Sequence, residues 1–195
     1  RGLVFADNDR PGVMQAGAVR SYINRYSVLP ASNMVVFTNN DSAYRTAIDA
    51  AENGATVTVI DIRTSPRATL IDKAEEANIM VYRGSAISAV YGHRGIRGVE
   101  VRRLNRAGHG VMRSSRTRID CAIVASSGGW TPTVHLHSQA RGKLDYDETI
   151  AAYVPGAGVN INPHLSAGAC NGSLDLRKCL AEGLEEGGLH ATVRN

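Results

Sequence analysis

The chain has 195 residues, 43% of them hydrophobic and 21% charged, with a formal net charge of +4. That is enough length and apolar content for one large or two small domains with a real core. Its three cysteines, Cys121, Cys170 and Cys179, show no CxxC spacing, which argues against a disulfide framework or a four-cysteine metal site. No apolar run approaches membrane-spanning length and no signal-peptide pattern opens the sequence, so neither a membrane protein nor a secreted one is expected, and a cytoplasmic location is.

In chain order, Leu3 to Ala6 is a short strand candidate, followed by the polar turn Asp7 to Arg10. Pro11-Gly12 then opens a predicted helix in which Val13, Ala16, Val19, Ile23 and Tyr26 keep to one face, and Pro30 ends it. Met34 to Phe37 read as a strand, Thr38 to Asp41 as a turn, and Ser42 as the N-cap of a helix with Ala43, Ala47, Ile48 and Ala51 on its apolar side. Asn53-Gly54 stop that helix, and Thr56 to Ile62 form the next strand. A helix from Ser65-Pro66 buries Leu70, Ile71, Ala74 and Ala77, and Ile79 to Tyr82 give a third strand. This β-α-β-α-β order is that of a half-Rossmann unit with a parallel sheet.

The turn of that unit is wrong for a nucleotide. A dinucleotide fingerprint needs Gly for the tight turn and a second Gly where the backbone approaches the pyrophosphate. With Thr38 at the first position, the second falls on Asn40 and the third on Ala43, of which only Ala43 is an accepted substitute. Asp41 adds a carboxylate where phosphate would bind. Asp61 stands where a ribose-binding acid is expected, although a strand-end aspartate capping a turn explains it equally well. The Rossmann frame is kept and the pyrophosphate cradle lost.

After Gly84, the segments Ala86 to Tyr91, Ile96 to Leu104 and Val111 to Thr117 read as an antiparallel meander with short glycine-bearing connections. Between Arg94 and Arg118 it holds eight arginines against the single acid Glu100. Without aromatic platforms for bases, a solvated face or a rim meeting an acidic subunit is a better reading than a nucleic-acid surface. Asp120 to Ala125 form a strand buried on both faces, with Cys121 as core packing, and run into the turn Ser126 to Pro132. That is where doubly wound sheets place ligands, so Gly128 and Gly129 are candidate cofactor contacts, with a purely conformational role weighed evenly beside it. His135 and His137 lack further ligands at a metal spacing, and Asp145, Asp147 and Glu148 read as a solvated turn. No catalytic constellation emerges.

The strand and exit DCAIVASSGGWTP resemble the returning strand of two-dinucleotide-domain flavoprotein oxidoreductases of the glutathione-reductase type. Within that superfamily, LVFADNDRPGVMQAGAVRSYINRY, VVFTNNDSAYRTAIDAA, SSGGWTPTVHLHSQARGKLDYDE and SAGACNGSLDLRKCLAEG resemble the alpha subunits of heterotetrameric sarcosine oxidase. Amine and opine dehydrogenase subunits and cyanide synthase subunits share the general layout. The resemblance implies an α/β fold with a Rossmann-like parallel sheet and an inserted antiparallel meander. It implies an interior segment in which residues 1–30 are the tail of a first dinucleotide domain with a crossover helix. Residues 31–129 would be a second, NAD(P)-binding-like domain with a degenerate fingerprint, and 130–195 the return to the first domain with its closing helix. The glycine-rich fingerprint would lie upstream and a folate-binding region downstream.

The family converts sarcosine to glycine with formaldehyde or its folate adduct and hydrogen peroxide. It holds NAD in the alpha subunit, and FAD and FMN in the complex, with the chemistry on flavins at the beta subunit and its interface. The implied role of this chain is to scaffold nucleotide and partner subunits, above all the flavin-bearing beta subunit, without carrying the redox step. Where relatives carry Ala-Gly-Asp against FAD, this chain has Ala167, Gly168 and Ala169, so the acid is missing. Gly168, Ala169, Asn171 and Gly172 remain candidate nucleotide contacts, although glycines that only cap and seat the closing helix, Gly172 to Glu186, explain them better. In that helix Leu174, Leu176, Leu180 and Leu184 are expected to supply apolar contacts, after a loop over Pro155 to Pro163 and a strand-like Leu165 to Ala169. Tight cofactor binding by the chain alone is not expected; self-association is.

Overall fold

A computed structural model describes residues 1–156 and 164–193, with side chains through Gly188. It divides into two compact units, Arg1–Gly129 and Trp130–Asn195.

The first unit is built on a five-stranded, wholly parallel sheet. Its strands are β1 (Val13–Gln15), β2 (Asn33–Thr38), β3 (Thr56–Asp61), β4 (Met80–Arg83) and β8 (Ile123–Ser127), in the spatial order β1-β8-β2-β3-β4. The helices α1 (Ala16–Tyr26), α2 (Ser42–Glu52) and α3 (Ala68–Glu76) connect them. Between β4 and β8 the chain forms the antiparallel meander β5 (Ser85–Tyr91), β6 (Gly98–Leu104) and β7 (Val111–Ile119).

The period-two pattern of the central strands explains why the meander is there. In β2, Met34 and Val36 join a core with Val19, Ile23, Ala47 and Ala50 of the helices, while Val35 and Phe37 join a second core with Ile87, Val90, Val99 and Val101 of the meander. Strand β8 repeats the division, with Ile123 and Ala125 on the first side and Val124 on the second. Both sheet faces are apolar, so both must be covered, one by helices and the other by a second sheet. Val35, Val36, Val59, Ile60 and Val124 have no exposed surface, and each such burial is worth about 1.5–3 kcal/mol.

Several expected boundaries move. Leu3 to Ala6 is not a strand; Phe5 instead packs edge-on against Phe37, with ring centroids 5.4 Å apart. The strand at that edge is Val13–Gln15, so helix α1 begins at Ala16 rather than at Pro11-Gly12. Tyr26 is 61% exposed because α1 ends there, on the left-handed Ser27, whose N–H donates to Ile23 O. Helix α2 takes Asp41, not Ser42, as its N-cap, and α3 starts at Ala68. Residues 1–30 lie in the same compact unit as 31–129, with β1 paired to β8.

The arginines of the meander are partly neutralised from within. Glu100, buried on β6, accepts hydrogen bonds from Tyr91 Oη (2.7 Å), Ser88 Oγ (2.9 Å) and Arg102 Nε (2.7 Å), and pairs with Arg116 Nε at 2.6 Å. Arg118 pairs with Asp120 and lies 4.9 Å from the Tyr91 ring centre.

The second unit contains α4 (His135–Gln139), the hairpin β9 (Leu144–Asp147) with β10 (Ala152–Pro155), a 3-10 turn (Gly168–Asn171) and α5 (Leu176–Val193). The acidic Asp145 and Asp147 therefore sit in a strand, with Tyr146 facing Tyr153 across the hairpin at 5.3 Å between ring centres. Most of the expected Pro155 to Pro163 loop lies outside the described residues. Residues 164–167 are not a strand, and the closing helix starts at Leu176, four residues later than expected. No helix among the described residues is long and apolar enough to cross a membrane.

Hydrogen bonds from Tyr91, Arg102 and Ser88 hold the Glu100 carboxyl down to about 2. Its folded value lies below the ordinary carboxylate range near 4, so its stabilisation is present above that range and is lost as pH falls toward 2. Acid titration of unfolding should show this loss in the native chain and a smaller one in Glu100→Gln; identical acid limbs would contradict the network.

Candidate functional site

In an open parallel sheet the ligand crevice lies beyond the carboxyl ends of the strands, where the order of connection reverses. Here the reversal falls between β2 and β8. The turn after β2, Thr38 to Ser42, meets the turn after β8, Ser126 to Gly129, and β3 ends beside them at Asp61.

That crevice is filled by its own side chains. Asn40 Nδ2 donates to Ser127 O (3.1 Å) and Ser127 Oγ (3.0 Å), tying the two turns together. Asn40 Oδ1 accepts from the Ser42 backbone N–H at 3.1 Å and from Ser42 Oγ at 2.6 Å. The Asn40 N–H itself donates to Thr38 Oγ1 at 3.0 Å. Two backbone donors that would face a pyrophosphate at the start of α2, the Asn40 and Ser42 N–H groups, are thus already engaged.

The charge at this end is also met internally. Asp61 has no exposed surface. Its Oδ1 accepts from the Arg63 backbone N–H (2.9 Å) and Nε (3.1 Å), and its Oδ2 from Arg63 NH2 (2.8 Å) and Tyr44 Oη (2.9 Å). Arg63 NH1 reaches on to Asp41 Oδ1 at 2.6 Å, and Arg67 pairs with Asp41 at 3.4 Å. Burial and the adjoining Asp61 raise the Tyr44 hydroxyl well above its ordinary value, so Tyr44 remains a proton donor to the carboxylate. All four acceptor positions of the would-be ribose acid are occupied. Asp61 caps its own strand end, the second of its two expected roles.

The six candidate cofactor residues fall into two groups. Gly128 and Gly129 lie at the crevice. The Gly128 N–H donates to Arg1 O at 2.7 Å, and a Cβ at Gly128 would stand 2.9 Å from Gly2 O, so backbone packing over the turn requires this glycine. Gly129 has a φ of +85°, which favours glycine. Gly168, Ala169, Asn171 and Gly172 form the 3-10 turn and its exit in the second unit. There Glu182 of α5 takes the place an anionic ligand would have. Its Oε2 accepts the Gly168 N–H at 2.8 Å, its Oε1 accepts the Ser173 hydroxyl, and the Asn171 side chain also bonds to it. These contacts, the Ser173 bond foremost, hold the Glu182 carboxyl below its ordinary value. Gly168 (φ +71°) and Gly172 (φ +92°) both need left-handed backbone, and a Cβ at Gly172 would meet Val154 Cγ1 at 2.8 Å.

Tyr44, Arg63 and Glu182 were not singled out from sequence, and Asn40 was read only as a lost glycine, not as the residue that bridges the two turns. Arg63 carried a signal, since a base two residues after a strand-end acid can fold back onto it. Tyr44 carried a weaker one, as the sole bulky polar residue on an alanine-rich helix face. Among the described residues no three metal-ligating side chains gather; His137 Nε2 lies 2.7 Å from Lys143 O, and His137 Nδ1 lies 2.8 Å from His164 Nε2. Cys121 is buried in the second core, where burial pushes its thiol up to about 12 and makes it unreactive. Leu174, Leu176, Leu180 and Leu184, expected to be covered, are 46%, 73%, 66% and 78% exposed. Their spacing sets Leu176, Leu180 and Leu184 along one side of α5, and nothing among the described residues of this unit covers it.

Fold and site together define a Rossmann-like α/β protein, its parallel sheet covered by helices on one face and by an antiparallel meander on the other, in which side chains bridge the crevice at the strand ends. No family model matches the chain. It is 42% identical over 99% of its length to sarcosine oxidase subunit alpha of Corynebacterium sp. strain P-1, and 38% identical over 94% to that of strain U-96. The chain spans about a fifth of the length of these relatives, 20% and 18% respectively. It is thus a relative of the sarcosine oxidase alpha subunits along nearly its whole length, as the sequence resemblance led us to expect. Solved structures agree in fold. The 6-hydroxypseudooxynicotine amine oxidase of Pseudomonas geniculata N1 matches 92% of this chain and 25% of its own, with a TM-score of 0.56 at 16% identity. Bacillithiol disulfide reductase of Staphylococcus aureus matches 81% and 45%, with a TM-score of 0.56 at 13% identity.

Removing the Arg63 guanidinium would leave the buried Asp61 with only the residue-63 N–H and Tyr44 Oη as hydrogen-bond donors. Arg63→Ala is expected to lower unfolding stability by roughly 3 kcal/mol, and Tyr44→Phe by about 1–2 kcal/mol. Urea midpoints measure both, and an Arg63→Ala midpoint equal to wild type would refute the assigned role.

Proposed function

We propose that this chain serves as a scaffolding part of a sarcosine oxidase-type alpha subunit, within a cytoplasmic multisubunit oxidoreductase, and does not carry the redox step itself. The parent complex would convert sarcosine to glycine, with formaldehyde or a folate adduct and hydrogen peroxide as the other products. The observation that carries this reading is the relatedness to alpha subunits along nearly the whole chain, combined with a crevice bridged by Asn40 to Ser127 and by Arg63 to Asp61 and Asp41. The residues at that crevice do not fit a dinucleotide: Asp41 would repel the pyrophosphate, and Asp61 has no acceptor left for a ribose hydroxyl. NAD of the parent alpha subunit, and the FAD and FMN of the complex, would accordingly be held by residues other than these. In the second unit, the Gly168 turn closes on Glu182 and serves to seat α5.

In this reading residues 1–30 and 130–195 belong with a first dinucleotide domain of the longer protein, and 31–129 form the second. The leucine side of α5 is then a surface for another part of that protein or for its partner subunits, the flavin-bearing beta subunit above all. The alternative, a nucleotide-binding module of an amine or opine dehydrogenase or cyanide synthase subunit, rests on the same layout but requires an open crevice.

Titration calorimetry with NAD, NADH and FAD separates the two. No saturable heat at micromolar concentration is expected, and micromolar affinity would favour the alternative. Uncovered leucines should also drive self-association of the isolated chain. Light scattering should report a concentration-dependent mass that Leu180→Glu reduces, and a monomer at high concentration would count against this use of α5.

A further inference from the structure

We infer that the meander carries a small oxyanion-binding groove centred on Arg103, separate from the crevice of the parallel sheet. A cavity of about 180 Å³ opens beside β4 and the meander, walled by Tyr82, Ser85, Arg103, Ser114, Arg116 and Thr117 among others. Three features distinguish it from ordinary charged surface.

The first is a backbone irregularity. The β6–β7 ladder shifts register between Arg102 and Leu104, which drops Arg103 from the pairing. Its N–H is met instead by Ser115 Oγ at 2.9 Å, and Ser115 Oγ in turn donates to Met112 O at 3.0 Å. The residues Met112 to Ser115 of β7 stand against Arg103 alone, so it is β7 that bulges, carrying Ser114 and Ser115, while Arg103 keeps its pairing with Ser85 of β5; such bulges cluster beside functional sites.

The second is the state of the donors. At the sheet crevice and the Gly168 turn, internal side chains already fill the anion positions. In the groove, the side chains of Arg103, Tyr82, Ser114 and Thr117 make no hydrogen bond or ion pair among the described residues. Arg116 is engaged with Glu100 and, through NH2, with Tyr91 Oη at 2.9 Å, so its charge is balanced. Arg103 is left as the unbalanced cation, with hydroxyl donors around it. A planar guanidinium with flanking hydroxyls suits a tetrahedral or planar oxyanion.

The third is size. Drug-sized ligands occupy about 300–1,000 Å³, so this smaller, open groove suits a single phosphate or carboxylate group. The inference does not depend on relatedness to sarcosine oxidase, and its test is independent of the nucleotide titrations.

Titration calorimetry of the chain with inorganic phosphate should give saturable binding that weakens as salt rises. Arg103→Gln should weaken it at least about tenfold. Ser114→Ala should weaken it by a smaller factor, while Arg106→Gln, on the neighbouring β6–β7 turn, should leave it unchanged. Should Arg103→Gln not fold, Arg103→Lys replaces it, with a smaller but measurable loss expected because the fork is gone. Glutarate that competes with phosphate would identify carboxylates as the source of the anion, and failure to compete would identify phosphates; either supports the groove. No saturable phosphate binding, unchanged binding in the Arg103 variant, or equal loss in Arg106→Gln would overturn it.

Discussion

Asp61 stands at the carboxyl end of β3 with no surface open to water, and the arrangement of that end of the sheet follows from the need to balance it. A lone buried carboxylate costs several kcal/mol, and the attraction of a partner offsets this only when its remaining lone pairs are also bonded. Arg63 folds back two residues to supply the charge and three of the four hydrogen bonds, and Tyr44 reaches across from α2 to supply the last. Because the guanidinium also holds Asp41, this single cation fixes the end of β3 against the start of α2. In a nucleotide-binding relative of this fold, that gap is where ribose and pyrophosphate go. Here Arg63 and Tyr44 bridge it.

The same solution recurs at the Gly168 turn, where Glu182 supplies the negative group to the donors of a helical turn. Both sites keep the electrostatic logic of anion binding while making the anion part of the chain. Such internal ligands tie neighbouring elements of each unit together. Among the described residues, the leucines of α5 are exposed and only some of the meander arginines are paired with acids.

Much of the frame could be read from the sequence. The β-branched runs from Met34 and Thr56, the alanine-spaced helix between them and the Asn53-Gly54 stop announce a βαβ unit, and each forms within a residue or two of expectation. The departure from the glycine fingerprint was legible too, since Thr38 and Asn40 stand at the glycine positions and Asp41 adds a carboxylate beside them. Errors gathered where local pattern competes with tertiary demand. Leu3 to Ala6 has strand composition, but the sheet edge takes Val13–Gln15, and Phe5 serves the core through its ring instead. The leucines of α5 have helical spacing, yet spacing only aligns them and does not say what covers them.

Taken by itself, the sequence determined which segments could be strands and helices, that the Asp120 to Ala125 strand would be buried on both faces, and that the turn after β2 lacks the glycines of a dinucleotide fingerprint. These are properties of periodicity and of residue size at a few positions, and they need no knowledge of distant neighbours. Only the tertiary structure decided which groups replaced the ligand. Tyr44 with Asp61, Asn40 with Ser127, and Gly168 with Glu182 are separated by 17, 87 and 14 residues. Hydrogen bonds of this kind depend on where folded elements bring side chains, and linear order does not encode that.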